Sequence, residues 1–154
     1  MFKRVLTFIL LYFILSTTYS QNCFDYHKSS CFAKPSKFVY KGNVASVSFL
    51  FKSGEVRNIP FTLLMGIDYR ITLCADTVFN NVIKFVIINE EGKQIYNNST
   101  QNFNLNLEFS SRKTHNVIFE LEAPELGIID ADSALNEGCI GILIEEMVSV
   151  KTGF

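Results

Sequence analysis

Several short stretches of this chain alternate apolar and polar residues with a period of two, and no other feature constrains its fold as tightly. In "FNLNLEFS", Phe103, Leu105, Leu107 and Phe109 alternate with Asn104, Asn106, Glu108 and Ser110. That pattern builds a strand with one face on a core and the other in water. "VASVSFLFK" repeats it with Val47, Phe49 and Phe51, "YRITLCAD" with Tyr69, Ile71 and Leu73, and "NVIFELE" with Val117, Phe119 and Leu121. "VIKFVIINEEGKQIY" is rich in β-branched and aromatic residues on both sides of Glu90-Glu91-Gly92-Lys93, as a hairpin around Gly92 would be. "CIGILIEEMVSV" places Ile140, Ile142 and Ile144 on one face of a last strand.

With "KFVYKG" and "IPFTLLM" the count reaches about eight strands, with turn signals at Gly42, Ser53-Gly54, Gly66, Asn80-Asn81, Gly92, Asn97-Asn98 and Gly127. Short strands without long helices between them predict an all-β fold, an antiparallel two-sheet sandwich of jelly-roll-like arrangement. The helix candidate is "CFDYHKSSCFA", ended by Pro35. The expected organisation is a signal peptide over 1–20, an N-terminal arm or short helix over 21–35 and a β-sandwich domain over 36–154.

The first of these segments sets the compartment. Lys3 and Arg4 precede an apolar run from Val5 to Leu15 and the small polar residues Ser16, Thr17 and Thr18, the layout of a secretory signal peptide. The run would reach about 16 Å as a helix, roughly half of a ~30 Å hydrocarbon core, so no membrane-spanning segment is expected in the mature chain. Cleavage after Ser20 would leave Gln21 first. Ser20, Gln21 and Asn22 before Cys23 are not the small residues a lipid-anchoring signal requires. A secreted or periplasmic protein is expected. The formal charge of the 154-residue chain is −1, and its 14 basic residues form no stripe or block, which argues against nucleic acid as a partner.

The order of motifs invites a comparison. An F-x-F strand is followed by "GIDYRITLCAD" (Gly66 to Asp76), a strand leading to "NEEGKQIYNN" (Asn89 to Asn98), an F-x-L-x-L-x-F strand and "GCIGILIEEM" (Gly138 to Met147). This order resembles a group of small secreted β-sandwich proteins of Gram-negative bacteria whose function is uncharacterised. More distantly, it is similar to β-sandwich modules of the GOLD type and to those appended to secreted peptidases. The resemblance implies a binding or accessory role without chemistry of its own. The chain departs from those modules by carrying cysteines in two sandwich strands.

Cys23, Cys31, Cys74 and Cys139 all lie beyond the signal segment, and four cysteines in an exported chain allow three full pairings. Proximity in sequence favours Cys23 with Cys31, which leaves Cys74 with Cys139. Two other readings compete. As a nucleophile, Cys74 would need a base, and the two histidines, His27 and His115, stand in no cysteine-hydrolase context. As metal ligands, Cys23, His27 and Cys31 are four residues apart each time, on one face of a helix with Asp25 close by, but zinc sites show tighter cysteine pairs. Structural disulfides are expected, with no metal.

The longest stretch without strand pattern is "APELGIIDADSALNEG". Its Asp130, Asp132, Asn136 and Glu137 are the candidate binding residues, with oxygens that suit calcium although no EF-hand spacing is present. No Gly-rich phosphate loop, G-x-S-x-G or H-E-x-x-H occurs. "NNST" holds overlapping glycosylation sequons at Asn97 and Asn98, and Tyr26, Tyr40, Tyr69 and Tyr96 are the residues on which a sugar could stack. The expectation is a non-catalytic exported β-sandwich module for binding or scaffolding, with a protein or glycan at the cell envelope as partner. The alternative is a secreted hydrolase or thiol enzyme whose site is assembled from scattered residues such as Asp68, Asp76 and His115.

Overall fold

A computed structural model describes residues 23–31, 41–127 and 136–148. Within them the chain forms one short helix, α1 (Tyr26–Ser30), and nine strands: β1 (Lys41–Gly42), β2 (Val47–Lys52), β3 (Val56–Leu63), β4 (Ile67–Ala75), β5 (Lys84–Asn89), β6 (Gln94–Asn97), β7 (Asn106–Ser110), β8 (His115–Glu122) and β9 (Glu137–Val148). Every pairing is antiparallel. One sheet runs β7–β4–β9, with β1 and β2 lying one after the other along the free edge of β9; we call it sheet A. The other, sheet B, runs β3–β8–β5–β6. The two-sheet sandwich expected from the alternation is therefore the fold.

The alternation also sets what lies between the sheets. Phe51, Tyr69, Ile71, Leu73, Ile140, Ile142 and Ile144 of sheet A face Phe61, Leu63, Phe85, Ile87, Val117, Phe119 and Leu121 of sheet B in one buried cluster. Aromatic rings pack within and between the layers: inside sheet B Phe119 stacks on Phe61 with centroids 5.0 Å apart and meets Phe85 edge-on at 5.5 Å, while Tyr69 of sheet A meets Phe61 across the interface at 5.6 Å. The buried Tyr69 hydroxyl accepts a hydrogen bond from the Leu64 N–H at 2.9 Å, so this tyrosine belongs to the core and offers no sugar platform.

Three local expectations are corrected. Phe103 is not in a strand: Asn102 and Phe103 take left-handed φ values of 52° and 53°, and β7 starts at Asn106. The cause is Asn98, whose fully buried side chain accepts from Phe85 N–H and donates to the carbonyls of Ile83 and Asn104, drawing the chain into a turn. That burial leaves Asn98 no room for a glycan. Gly42 lies in β1 opposite Glu145, not in a turn. The helix is shorter than "CFDYHKSSCFA", ending at Ser30. Gly92, by contrast, makes the β5–β6 turn as expected: its φ of 74° suits a residue without a Cβ. The Asn89 carboxamide oxygen accepts from Glu91 and Lys93 N–H across that turn.

Candidate binding groove beside the stapled helix

Cys74 and Cys139 point to the outer face of sheet A, away from the core, and there they meet α1. The bridges are Cys23–Cys139 and Cys31–Cys74, with Cα–Cα distances of 5.5 Å and 5.0 Å. This corrects the expected pairing of Cys23 with Cys31 and Cys74 with Cys139. Register gives the physical reason. Cys74 stands opposite Gly141, so Cys139 is its diagonal neighbour two residues along. Such diagonals are about 7–8 Å apart, beyond the reach of an ordinary disulfide. The helical turn between Cys23 and Cys31 likewise points their thiols down onto the sheet instead of toward each other.

Gly141 is the seat of the helix. A Cβ there would lie 2.8 Å from the Cys74 Sγ, 3.0 Å from the His27 Cα and 3.1 Å from the Cys31 Sγ. Only a glycine lets the α1 backbone approach this closely.

His27, 6% exposed, completes the attachment. Its backbone N–H donates to the Ser48 Oγ at 2.7 Å, and its ring Nδ1 lies 2.7 Å from the same oxygen. The Ser48 Oγ thus contacts both the backbone and the ring of His27, and the ring tautomer decides whether the hydroxyl or Nδ1 is the donor in the second contact. Burial lowers the His27 pKa and Lys28 adds to the effect, while Asp25 opposes it.

Between α1 and the β1–β2 connection lies a groove of about 470 Å³. Phe24, Val44 and Val47 give it apolar walls, and His27, Ser46 and Ser48 supply its polar groups. The wall opposite the helix is fixed by side chains. The Asn43 Oδ1 accepts from Ala45 N–H and its Nδ2 donates to the Glu146 carboxylate, both at 2.8 Å. The Ser46 hydroxyl donates to Ile144 O and accepts from Ile144 N–H, which carries the sheet pairing across the gap between β1 and β2. This bracing holds Val44 wholly in solvent, at 103% relative exposure, and Phe24 is 75% exposed at the other rim. Asp25 and Lys28 form an exposed ion pair at 2.8 Å.

A second hollow, of about 380 Å³, lies on the outer face of sheet B, where Pro60, Ile118 and Ile88 stand side by side in register.

The other sequence candidates are placed as follows. Cys23 and Cys31 are disulfide-bonded, so the Cys23, His27, Cys31 spacing provides no thiolate ligand. Among the described residues no group of three or more His, Cys, Asp or Glu is arranged to hold a metal. Cys74, likewise bonded, is not a thiolate nucleophile in this structure. Asp130 and Asp132 lie outside the described residues. Asn136 accepts from Ser53 N–H through its carbonyl at 2.8 Å, and Glu137 opens β9 opposite Lys52. Asp68 lies near the start of β4 and Asp76 directly after its end, about 26 Å apart at strand rise, and His115 begins β8 opposite Leu63, so the three do not converge. Asp76 instead caps the turn after β4 by accepting from Thr77 N–H at 2.9 Å. Sequence reading missed Ser48, Gly141 and Val44. The available signal was the set of small residues, Ser48, Cys74, Cys139 and Gly141, on the polar-facing side of three strands.

No helix among the described residues is long and apolar enough to cross a membrane. No protein-family model and no curated protein sequence matches the chain. Among solved structures it is similar to PliG of Aeromonas hydrophila, a periplasmic lysozyme inhibitor of g-type lysozyme, with a TM-score of 0.47 and 6% sequence identity, over 75% of this chain and 93% of that one.

Proposed function

We propose that the chain is an exported, non-catalytic binding module that engages a protein or glycan at the cell envelope through the groove between α1 and the β1–β2 connection. One observation carries this reading: both walls of the groove are braced, one by two disulfides and the other by the Asn43 and Ser46 bonds, and yet its rim holds Val44 in water. Apolar side chains held rigidly in solvent lose little conformational entropy on binding, which suits a docking site.

Export is supported by the disulfides, which persist in oxidising compartments, and by the signal-peptide pattern of residues 1–20. A non-catalytic role is supported by the state of the Ser48–His27 pair: the buried Ser48 oxygen is engaged by both the backbone N–H and the ring of His27 in holding α1 to the sheet.

The test is affinity capture from the native envelope with the wild type, Val44→Asp and Ile118→Asp. Loss of capture in Val44→Asp and its retention in the sheet B variant is the expected result; capture by Val44→Asp equal to wild type rejects the groove.

A second reading keeps Asp130, Asp132, Asn136 and Glu137 as oxygen donors, because the Asn136 Oδ1 is buried with no hydrogen-bond partner among the described residues. A melting temperature that is equal in calcium and in chelator would exclude it.

A further inference from the structure

We propose that two copies of this chain pair edge to edge through β7, so that sheet A of one copy continues into sheet A of the other. A strand at the end of a sheet leaves a row of backbone N–H and C=O groups unpaired, and soluble proteins block such rows. Three of the four sheet edges among the described residues are blocked. On β2 the Arg57 guanidinium donates to Leu50 O at 2.9 Å, and the Glu55 carboxylate takes the Lys52 N–H at 2.8 Å. On β3 the bond from Ala123 N–H to Glu55 O sets the ladder so that Val56, Asn58, Pro60 and Thr62 turn their backbone groups outward, and Pro60 has no N–H to offer. On β6 the edge is only four residues long, with a break in register beside it.

Strand β7 carries no such device. It ends sheet A, with β4 as its one strand partner among the described residues. Leu73 N–H bonds to Leu105 O and Ser111 N–H to Ile67 O, so Leu107 and Phe109 direct their backbone groups at β4, while Asn106, Glu108 and Ser110 turn theirs to the open edge. Glu108 and Ser110 are exposed. Leu107 and Phe109 lie half-buried on the core side, Phe109 stacked on Tyr69 with centroids 5.6 Å apart, and a further strand would cover what they still expose.

The strand is complementary to itself in one register. A two-fold antiparallel pairing centred on Glu108 would set like charges opposite each other, which is unfavourable. One centred on Leu107 needs the Asn106 N–H, which the Asn104 side-chain oxygen already holds at 3.1 Å. Centred on Phe109, the pairing sets Glu108 opposite Ser110 twice, which makes four backbone hydrogen bonds, and brings Phe109 against Phe109 as a favourable aromatic pair. Directly opposite residues share a face, so both outer faces of sheet A, with their α1 grooves, open toward the same side. On the reading of the groove given above, the pair is bivalent for a repetitive envelope surface, although the pairing itself does not depend on that reading.

Sedimentation velocity of the exported protein with both disulfides intact tests the pairing, together with amide hydrogen exchange on the same samples. A contact this short is weak, so a reversible dimer is expected to grow in between about 10 μM and about 1 mM. Over that range the Glu108 and Ser110 amides should gain protection, and the outward Asn58 and Thr62 amides of β3 should not. Ser110→Pro removes one donor from each copy and no bond to β4, so it should weaken dimerisation about thirtyfold, the factor two hydrogen bonds supply. A protein monomeric at the highest concentration, a dimer unchanged in Ser110→Pro, or protection gained on another edge would each overturn the proposal. The exchange measurement uses the wild type and so does not depend on the variant folding. A monomer whose Glu108 and Ser110 amides gain protection only on addition of envelope extract would give this edge to a foreign strand and reject the second copy.

Discussion

The outer faces of the two sheets are built on different plans. Sheet A turns Ser48, Cys74, Cys139 and Gly141 outward beneath α1, whereas sheet B turns Pro60, Ile118 and Ile88 outward with nothing described above them. A five-residue helix cannot be stable alone and buries little surface. It therefore stays on sheet A because the face is cleared by small residues and the contact is covalent. Sheet B, with the bulkier Pro60, Ile88 and Ile118 on its outer face, has no such seat. An added element on a sandwich face needs both a hollow and a bond, and the groove beside α1 is the by-product of meeting both needs on one face.

The largest effect expected from breaking this contrast is on the bridges. By loop-closure entropy, removing Cys23–Cys139, which spans 116 residues, should cost about 5 kcal/mol, and removing Cys31–Cys74, which spans 43, about 4 kcal/mol. Urea unfolding of the paired Cys→Ser variants measures both, and a loss under about 1 kcal/mol would show that α1 contributes no constraint.

Gly141→Ala comes next, at about 1–3 kcal/mol, because the new methyl meets the His27 backbone and two sulfurs that cannot yield separately. A neutral result there would mean that α1 does not sit on Gly141.

A smaller effect follows from His27. Its pKa is depressed in the folded state, so the folded protein disfavours the proton that the unfolded chain accepts. Stability is then complete above the unfolded value of about 6.5 and declines as pH falls through the folded value. In His27→Phe that part of the acid loss should vanish, as a pH series of melting temperatures would show. On the other face, Ile118→Thr should change stability by no more than about 0.5 kcal/mol, since Ile118 is 39% exposed; a much larger loss would mean sheet B is less open than its geometry indicates.

The sandwich was legible in the sequence because period-two alternation reports burial directly, and Val47, Phe49 and Phe51, then Tyr69, Ile71 and Leu73, then Ile140, Ile142 and Ile144, all face the core that their pattern implied. Where alternation failed, a single polar side chain had overruled it: Asn98 bends the chain through Phe103. The groove was far less legible. Cys74 on the polar-facing side announced that something covers that face, but the pairing depends on register, and register is a relation between strands that no local pattern contains. Ser48 and Gly141 become informative only once they are known to lie next to Cys139 and Cys74.

The account stands or falls on the connectivity that fastens α1 to sheet A. Trypsin cuts after Lys28 and so separates Cys23 from Cys31, which makes non-reducing peptide mapping by mass spectrometry decisive. Linked peptides joining Cys23 to Cys139 and Cys31 to Cys74 are the predicted result; peptides joining Cys23 to Cys31 and Cys74 to Cys139 would contradict it and remove the braced groove with it.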